Sequence, residues 1–121
     1  MIINKLISGN DVQKPALNNT GTHYAFRVNS HDPNHWTGPD SFAIISDLGN
    51  GAYYDYIDSL IWVDDDTFVY RAQTNGEWRV VINHVGQEAF KYVDFLTVSK
   101  GVITYSAEHE DGTWTDEALR F

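Results

Sequence analysis

The chain contains no cysteine, which excludes disulfide bonds, thiolate zinc sites and a cysteine nucleophile. Basic residues are also scarce: 8 lysine and arginine side chains stand against 17 aspartate and glutamate side chains, for a formal net charge of −9. Affinity for a phosphate backbone comes largely from lysine and arginine. The composition therefore predicts no direct binding to nucleic acid, and it is compatible with a basic protein partner.

Long apolar runs are missing as well. No stretch approaches the roughly 18 apolar residues that cross a bilayer, and segment 1–7 lacks the basic start and long apolar run of a secretory signal. These absences predict a soluble, cytoplasmic protein that has no membrane partner.

Motifs of catalysis are equally absent. The glycine-rich stretch 49–52 lacks the following lysine and the predicted helix of a phosphate-binding loop, and neither a serine elbow nor an HExxH motif occurs. The sequence thus predicts a protein that is not an enzyme and carries no cofactor.

What the chain does have is enough apolar material for a folded core. Its 121 residues are 42% hydrophobic and 14% aromatic, well above a disordered composition. Single domains cluster at roughly 100–150 residues, so residues 1–121 are predicted to form one domain. In the simplest interpretation, the acidity keeps this domain soluble.

A degenerate repeat of roughly 37 residues runs through the chain. Its central element is rich in aromatic and β-branched residues and occurs at 24–28, 68–72 and 103–107. A preceding element occurs at 54–60 and again at 90–96. Because such residues favour central strands, the predicted fold class is all-β, with three copies of one antiparallel unit.

Turn residues separate these strands. Asn75-Gly76 and Asp111-Gly112 each precede a tryptophan and predict hairpins, since both dipeptides favour the type I′ turn with positive φ at its two central residues. Further turns are predicted at 18–21, 64–66 and 99–101. The three aspartates at 64–66 fall at one of these positions, which favours a solvated turn over a calcium or magnesium site.

The start of the chain has the pattern of the end of a unit. Segment 2–6 has two apolar residues, two polar ones and one apolar residue, as do 44–48 and 81–85. This offset predicts that 2–6 pairs with the last unit, in the same chain or in a second copy.

Residues 6–11 followed by 15–26 resemble the repeat of TolB-type, WD40-like β-propellers. In that family a polar linker leads to a proline, a short strand, a Ser-Pro-Asp-Gly-like turn and an apolar-Ala-aromatic strand; here Asn18-Asn19-Thr20-Gly21 takes the place of the turn. The resemblance implies three propeller-like antiparallel blades, with the N-terminal strand closing the last blade.

Three blades are fewer than the 4–8 that are typical of propellers, and they leave exposed sheet edges. A two-fold homodimer that forms a six-blade ring is one expectation from this departure. An irregular three-sheet monomer and a fragment of a longer propeller are the alternatives.

The first unit carries an insertion at 30–40 where the other units have a tight hairpin, and loops that lengthen one repeat often form its binding face. Two imidazoles and a carboxylate suit a zinc-like ion, but Pro33 argues against the helix that would bring the histidines together. A surface loop whose tryptophan caps the core is the simpler interpretation, and a small-ligand or metal site is the alternative. The candidate residues are His31, Asp32, His35 and Trp36.

Aromatic residues are dense around the preceding element of the repeat. This density suggests an outward binding surface, because aromatic residues are enriched at interface hot spots. Tyr53 and Tyr54 are the candidates for binding, within a set that consists of Tyr53, Tyr54, Tyr56, Trp62, Phe90, Tyr92 and Phe95. Alternation along strands sends about half of such residues inward, so core packing is the competing interpretation.

These features predict a non-catalytic protein-interaction module. One alternative is an acidic inhibitor, such as a mobile-element product, that mimics nucleic acid on a basic protein. The other is a small-ligand or metal-binding protein that uses the insertion at 30–40.

Overall fold

The computed structural model describes residues 11–12, 16–30 and 41–120. Within these residues all regular structure is β-strand, arranged in three antiparallel sheets that follow one another along the chain. The first sheet contains β1 (Asp11–Val12), β2 (Ala16–Leu17), β3 (Tyr24–Ser30), β4 (Ser41–Ser46) and β5 (Gly49–Asn50). The second contains β6 (Tyr56–Trp62), β7 (Phe68–Thr74), β8 (Glu77–Ile82) and β9 (Val85–Gly86). The third contains β10 (Tyr92–Ser99), β11 (Val102–Glu108) and β12 (Trp114–Arg120).

The predicted all-β class and its three antiparallel units are confirmed. The second sheet has the order β6-β7-β8-β9 and the third the order β10-β11-β12, so strands that are consecutive in sequence are neighbours. The three copies of the central element lie in β3, β7 and β11. Their aromatic and β-branched residues suit strands that have a neighbouring strand on each side.

The turn at Asn75-Gly76 is the type that the sequence predicts. Thr74 pairs with Glu77, which leaves a two-residue loop, and Asn75 and Gly76 have φ of 53° and 81°. Positive φ at both central residues is the requirement of a type I′ turn.

The hairpin at Asp111-Gly112 is confirmed, but the prediction of a two-residue type I′ turn is wrong. His109 N donates to Thr113 O at 2.8 Å, Gly112 N donates to His109 O at 2.9 Å, and Gly112 alone of the loop residues 110–112 has positive φ. This is a three-residue loop, a type I turn followed by a left-handed glycine. Asp111 Oδ1 stabilises it by accepting hydrogen bonds from the main-chain N and the hydroxyl of Thr113.

The turns predicted at 18–21 and 64–66 are also present. Gly21 N donates to Asn18 O at 3.1 Å, and Asp66 N donates to Asp64 Oδ1 at 2.9 Å in an exposed bend. Short side-chain acceptors of this kind are the reason why asparagine and aspartate favour turns.

The second and third sheets repeat each other even in an irregularity. The pairing register of β6 shifts between Asp58 and Ile61, and β10 has a shift at the corresponding place. Within each shift one residue other than glycine has left-handed φ, Ser59 at 60° and Phe95 at 55°. The repeated element that precedes each central strand is therefore one kind of bulged strand.

Two buried clusters join the sheets face to face. The cluster between the first and second sheets contains Ala25, Ile44, Ile57, Phe68, Tyr70, Ala72 and Val81. The cluster between the second and third contains Val69, Trp78, Val80, Phe90, Val93, Ile103, Tyr105 and Ala107. Since each large buried side chain contributes about 1.5–3 kcal/mol, these clusters stack the sheets in chain order.

Two predicted features lie outside the described residues: the closing strand at 2–6 and the part of the insertion that spans 31–40. Closure of the last blade by the N-terminal strand therefore stays a prediction. Among the residues described, no helix is long and apolar enough to span a membrane.

Candidate functional site

An arginine lies in each of the two interfaces between sheets. Arg71 of β7 donates from Nε and Nη2 to the two carboxylate oxygens of Asp58, at 2.7 and 2.5 Å. Its Nη1 donates to Val93 O at 2.5 Å and to the hydroxyl of Tyr92 at 3.2 Å, both on β10. The guanidinium carbon is 4.4 Å from the centre of the Trp78 ring. The hydrogen bonds with Asp58 raise the pKa of Arg71, so the guanidinium stays charged.

The first interface repeats this arrangement with Arg27 of β3. Arg27 Nη1 donates to Ile57 O at 2.8 Å, and Ile57 occupies in β6 the place that Val93 occupies in β10. The guanidinium carbon of Arg27 is 4.8 Å from the ring centre of Phe42 and 5.6 Å from that of Tyr56. Each arginine therefore joins the face of its own sheet to the next sheet.

Five aromatic rings form a continuous row across the three sheets. Phe42 contacts Tyr56 at 5.5 Å, Tyr56 contacts Trp78 at 6.1 Å, Trp78 contacts Tyr92 at 5.5 Å and Tyr92 contacts Trp114 at 6.2 Å, all edge to face. The row ends on the third sheet, where Trp114 is 49% exposed although its counterpart Trp78 is 9% exposed.

The outer face of the third sheet is the counterpart of the face that holds Arg71. In the second sheet, Arg71 is opposite Val80 of β8. In the third sheet, Ser106 of β11 is opposite Asp116 of β12. Ser106 therefore takes the place of the arginine, and an aspartate takes the place of a buried valine.

We call this outer surface the open face. Residues that are opposite each other on neighbouring antiparallel strands share a face, which assigns to it Asp94, Thr97, Thr104, Ser106, Glu108, Trp114, Asp116 and Ala118. Thr104 and Asp116 are exposed, whereas the corresponding Val69 and Val80 are buried. Another sheet stacked here in the same way would bury the Asp116 carboxylate, which is costly without a partner. The open face therefore suits a polar or charged ligand.

A shallow groove of about 440 Å³ runs along the open face. It is lined by Phe95, Thr97, Thr104, Tyr105, Ser106, Asp116, Glu117 and Ala118. Phe95 is 72% exposed and stands at the bulge of β10, where its main-chain N donates to Asp94 Oδ1 at 2.9 Å. The groove thus combines carboxylates with a large exposed aromatic ring.

Carboxylates surround Ser106. Asp94 and Asp116 are opposite it on the two neighbouring strands, and Ser106 Oγ donates to Asp116 Oδ1 at 3.3 Å. Glu108 lies two residues further along β11, with Lys91 Nζ 3.9 Å from its carboxylate. Throughout the described part of the chain, no three potential ligand side chains are grouped closely enough to hold a metal ion.

Of the residues that the sequence predicts for a site, the two that the structure describes, Tyr53 and Tyr54, do not lie on the open face. Tyr53 is exposed, and Tyr54 is half-buried with its ring edge-on to Tyr70 at 6.5 Å. Both belong to the connection between β5 and β6. The remaining four predicted residues lie outside the described residues, so the site in the insertion stays a prediction: His31, Asp32, His35 and Trp36.

The sequence pattern does not by itself single out Ser106, Trp114 or Asp116 as functional. One signal was present in the repeat, because the fourth position of the central element is arginine at Arg27 and Arg71 and serine at Ser106. Its meaning depends on what surrounds those arginines in the fold.

Comparison of the chain with protein-family models, with curated proteins and with solved structures finds no match.

Proposed function

We propose that the protein is a non-catalytic interaction module that binds a protein partner through the open face. The observation that supports this most is the exposure of Phe95 and Trp114 beside an acidic groove. Aromatic side chains are the usual anchors of protein interfaces, and exposed apolar groups with a polar rim mark interaction sites. The equivalent face of the second sheet is covered by the third sheet.

The charge of the protein favours a basic partner. The chain carries a formal net charge of −9, and Asp94, Glu108 and Asp116 place carboxylates on the open face itself. Opposite charges on two surfaces accelerate association and select the partner. We do not propose nucleic acid as a direct ligand, because its phosphates would meet these carboxylates.

The shape of the groove supports binding rather than catalysis. General acid or base catalysis needs a carboxyl group within reach of a substrate, in a pocket that excludes water. Asp116 and Ser106 lie instead on a shallow, solvent-open sheet face. Such a surface suits the contact area of a protein or peptide.

The test is quantitative affinity capture from cells that produce the protein, followed by titration of the purified partner. We expect Phe95→Ala and Trp114→Ala to weaken partner binding at least tenfold while the melting temperature is retained, because each removes an interface anchor. Val85→Ala is the matched control, since Val85 is an exposed apolar residue of the second sheet. Equal losses in all three variants, or turnover of a small molecule by the wild type, contradict the proposal.

An acidic inhibitor that occupies the nucleic-acid site of a basic protein is a second candidate. It is favoured by the placement of three carboxylates, those of Asp94, Glu108 and Asp116, on three neighbouring strands of one face. Duplex DNA should then compete with the protein for the purified partner. Simultaneous binding of DNA and this protein contradicts it.

The TolB-type resemblance, the six-blade homodimer, the metal or ligand site at 30–40 and the cytoplasmic location stay predictions. Light scattering tests the dimer, and a strict monomer at high concentration contradicts it. Zinc should raise the melting temperature by mass action if the insertion binds it. An unchanged melting temperature with zinc and with chelator contradicts that site.

A further inference from the structure

The second sheet shows how this fold holds a guanidinium. Arg71 is directly opposite Asp58 on β6, and it lies over the ring of Trp78, which is diagonal to it on β8. Two guanidinium nitrogens donate to the two oxygens of Asp58. This parallel pairing matches the planar fork of arginine and not the point charge of lysine. Asp58 and Trp78 therefore form a receptor for an arginine side chain that lies across the sheet.

The third sheet also has an aspartate and a tryptophan at these two positions. Asp94 of β10 is opposite Ser106, in the place that Asp58 has in the second sheet. Trp114 corresponds to Trp78, because Trp78 is opposite Gln73, two residues after Arg71, and Trp114 is opposite Glu108, two residues after Ser106. Ser106 has replaced the arginine between them. Because the serine side chain is short, the space above β11 at this position is part of the groove.

The carboxylates at this receptor retain capacity for a cation. The side chain of Asp94 is 41% exposed, compared with 26% for Asp58. Arg71 Nη1 forms a long ion pair with Asp94 Oδ1 at 3.8 Å, beyond hydrogen-bond distance, and the same oxygen accepts from the main-chain N of Phe95 at 2.9 Å. Asp116 adds a second carboxylate on the other side of Ser106.

We propose that the open face recognises an arginine side chain of the protein partner, with the guanidinium paired to Asp94 and stacked on Trp114. This inference rests on the proposed function and names the chemical group that the site recognises. A guanidinium gains both a bidentate carboxylate pair and a cation–π contact with indole, the best ring for that contact. A lysine ammonium can also contact the indole, but it cannot form the bidentate pair with the carboxylate.

The first experiment titrates the full chain with N-acetyl-arginine N-methylamide and follows the Trp114 indole N–H by NMR. The corresponding lysine and citrulline derivatives are the comparison probes, since citrulline keeps the shape of arginine without its charge. We expect saturable shifts at Trp114 and Ser106 with the arginine probe. The lysine probe should bind at least about fivefold more weakly, and the citrulline probe should cause no shifts.

Two variants test the geometry. Ser106→Arg restores the arginine of the repeat and should occupy the receptor from within, so that binding of the arginine probe is lost. Asn19→Arg is the matched control: it adds the same charge at an exposed turn of the first sheet and should bind normally. Asp94→Asn should weaken the arginine probe about tenfold, because it removes the charged acceptor. The melting temperature and the amide spectrum of each variant verify that it is folded.

The outcomes separate this inference from the proposed function. If Trp114→Ala loses the partner while Ser106→Arg and Asp94→Asn retain it, the interaction module stands and arginine recognition is overturned. Equal affinity for the lysine and arginine probes also overturns it. If the wild type self-associates and Ser106→Arg does not, the open face binds a second copy of this chain. That result overturns the assignment to a different partner. If only arginine is bound and both variants lose the partner, the proposal is supported.

Discussion

The hydroxyl oxygen of Tyr70 lies 3.1 Å from Nδ1 of His84, and Nε2 of the same imidazole lies 2.9 Å from Gly49 O. A carbonyl oxygen only accepts, so Nε2 donates to Gly49 O. Burial favours the neutral imidazole, in which Nδ1 then accepts from the tyrosine hydroxyl. The two hydrogen bonds of His84 connect the β8–β9 turn to β7 and to β5 of the first sheet. Burial raises the pKa of the Tyr70 hydroxyl, so the hydroxyl keeps its proton and remains the donor.

Acid should destabilise the fold through His84. Burial lowers the pKa of His84 below its ordinary 6.5, so the unfolded chain takes up a proton more readily than the folded one. The contribution of the neutral imidazole is therefore complete above about pH 6.5 and is lost as the pH falls from there toward the lower folded pKa. We expect the melting temperature to fall more between pH 7.5 and pH 5 in the wild type than in His84→Asn, as measured by calorimetry.

His23 provides the opposing control. Its Nδ1 is 2.7 Å from Asp47 Oδ2, and this hydrogen bond raises the pKa of His23. Its contribution is therefore complete below the unfolded pKa and is lost as the pH rises through the folded pKa. His23→Asn should make the loss of stability toward acid steeper than in the wild type. If the melting temperature of His84→Asn falls as much as that of the wild type between pH 7.5 and pH 5, the acid sensitivity comes from other groups.

Gly51 packs against the same hydroxyl and imidazole. A Cβ at Gly51 would lie 2.6 Å from Nδ1 of His84 and 2.8 Å from the hydroxyl oxygen of Tyr70. Because those atoms are held by their own hydrogen bonds, Gly51→Ala should lower the free energy of unfolding by about 1–3 kcal/mol, the usual range for overpacking. Urea denaturation measures it.

Gly86→Ala is the matched control for Gly51→Ala. The atom nearest to a Cβ at Gly86 is Arg79 Cδ at 3.2 Å, which belongs to a flexible side chain that can move aside. We expect a clearly smaller loss there. Equal losses in the two variants would show that the close approach at Gly51 carries no particular cost.

Much of the fold could be predicted because it follows from local pattern. The asparagine and glycine at 75 and 76 adopt positive φ whatever surrounds them, and they set a two-residue turn. The same inference fails at Asp111, where Thr113 supplies two hydrogen bonds that stabilise a longer loop. This contact between Asp111 and the residue two positions later is not part of the Asp-Gly dipeptide signal.

The open face could not be predicted, because a sheet face becomes a site only when the stacking order leaves it uncovered. Serine in a strand, as at Ser106, is unremarkable in sequence. It gains meaning when Arg71 is found between Asp58 and Trp78, and Asp94 and Trp114 hold the corresponding register positions around Ser106. Aromatic density alone favoured Tyr53 and Tyr54, which the fold places on a different connection.

The Arg71–Asp58 pair should contribute measurably to stability. Asp58→Asn keeps the shape but removes the charged acceptor from a guanidinium that is largely buried between two sheets. We expect a loss of about 1–3 kcal/mol in the free energy of unfolding. Glu108→Gln is the control, since its 3.9 Å contact with Lys91 is a surface ion pair of about 0–1 kcal/mol. Comparable losses would contradict the role of the buried pair.

Phe95 carries backbone strain at the edge of the proposed binding surface. Its φ of 55° lies in the left-handed region, which costs roughly 1–2 kcal/mol for most residues and less for asparagine. Because the ring is largely exposed, Phe95→Asn gives up little burial. We expect it to raise the free energy of unfolding by about 1 kcal/mol in urea denaturation.

The same variant should weaken partner binding, because the ring is an anchor of the proposed interface. Ser59→Asn is the control at the corresponding bulge of the second sheet, where φ is 60°. It should stabilise the fold to a smaller or similar degree and leave partner binding unchanged. A variant that gains stability and loses binding is expected where backbone strain is retained at a functional position. If Phe95→Asn binds the partner as well as the wild type, the phenylalanine is strained without benefit to binding, and the groove beside it loses one of its two aromatic anchors.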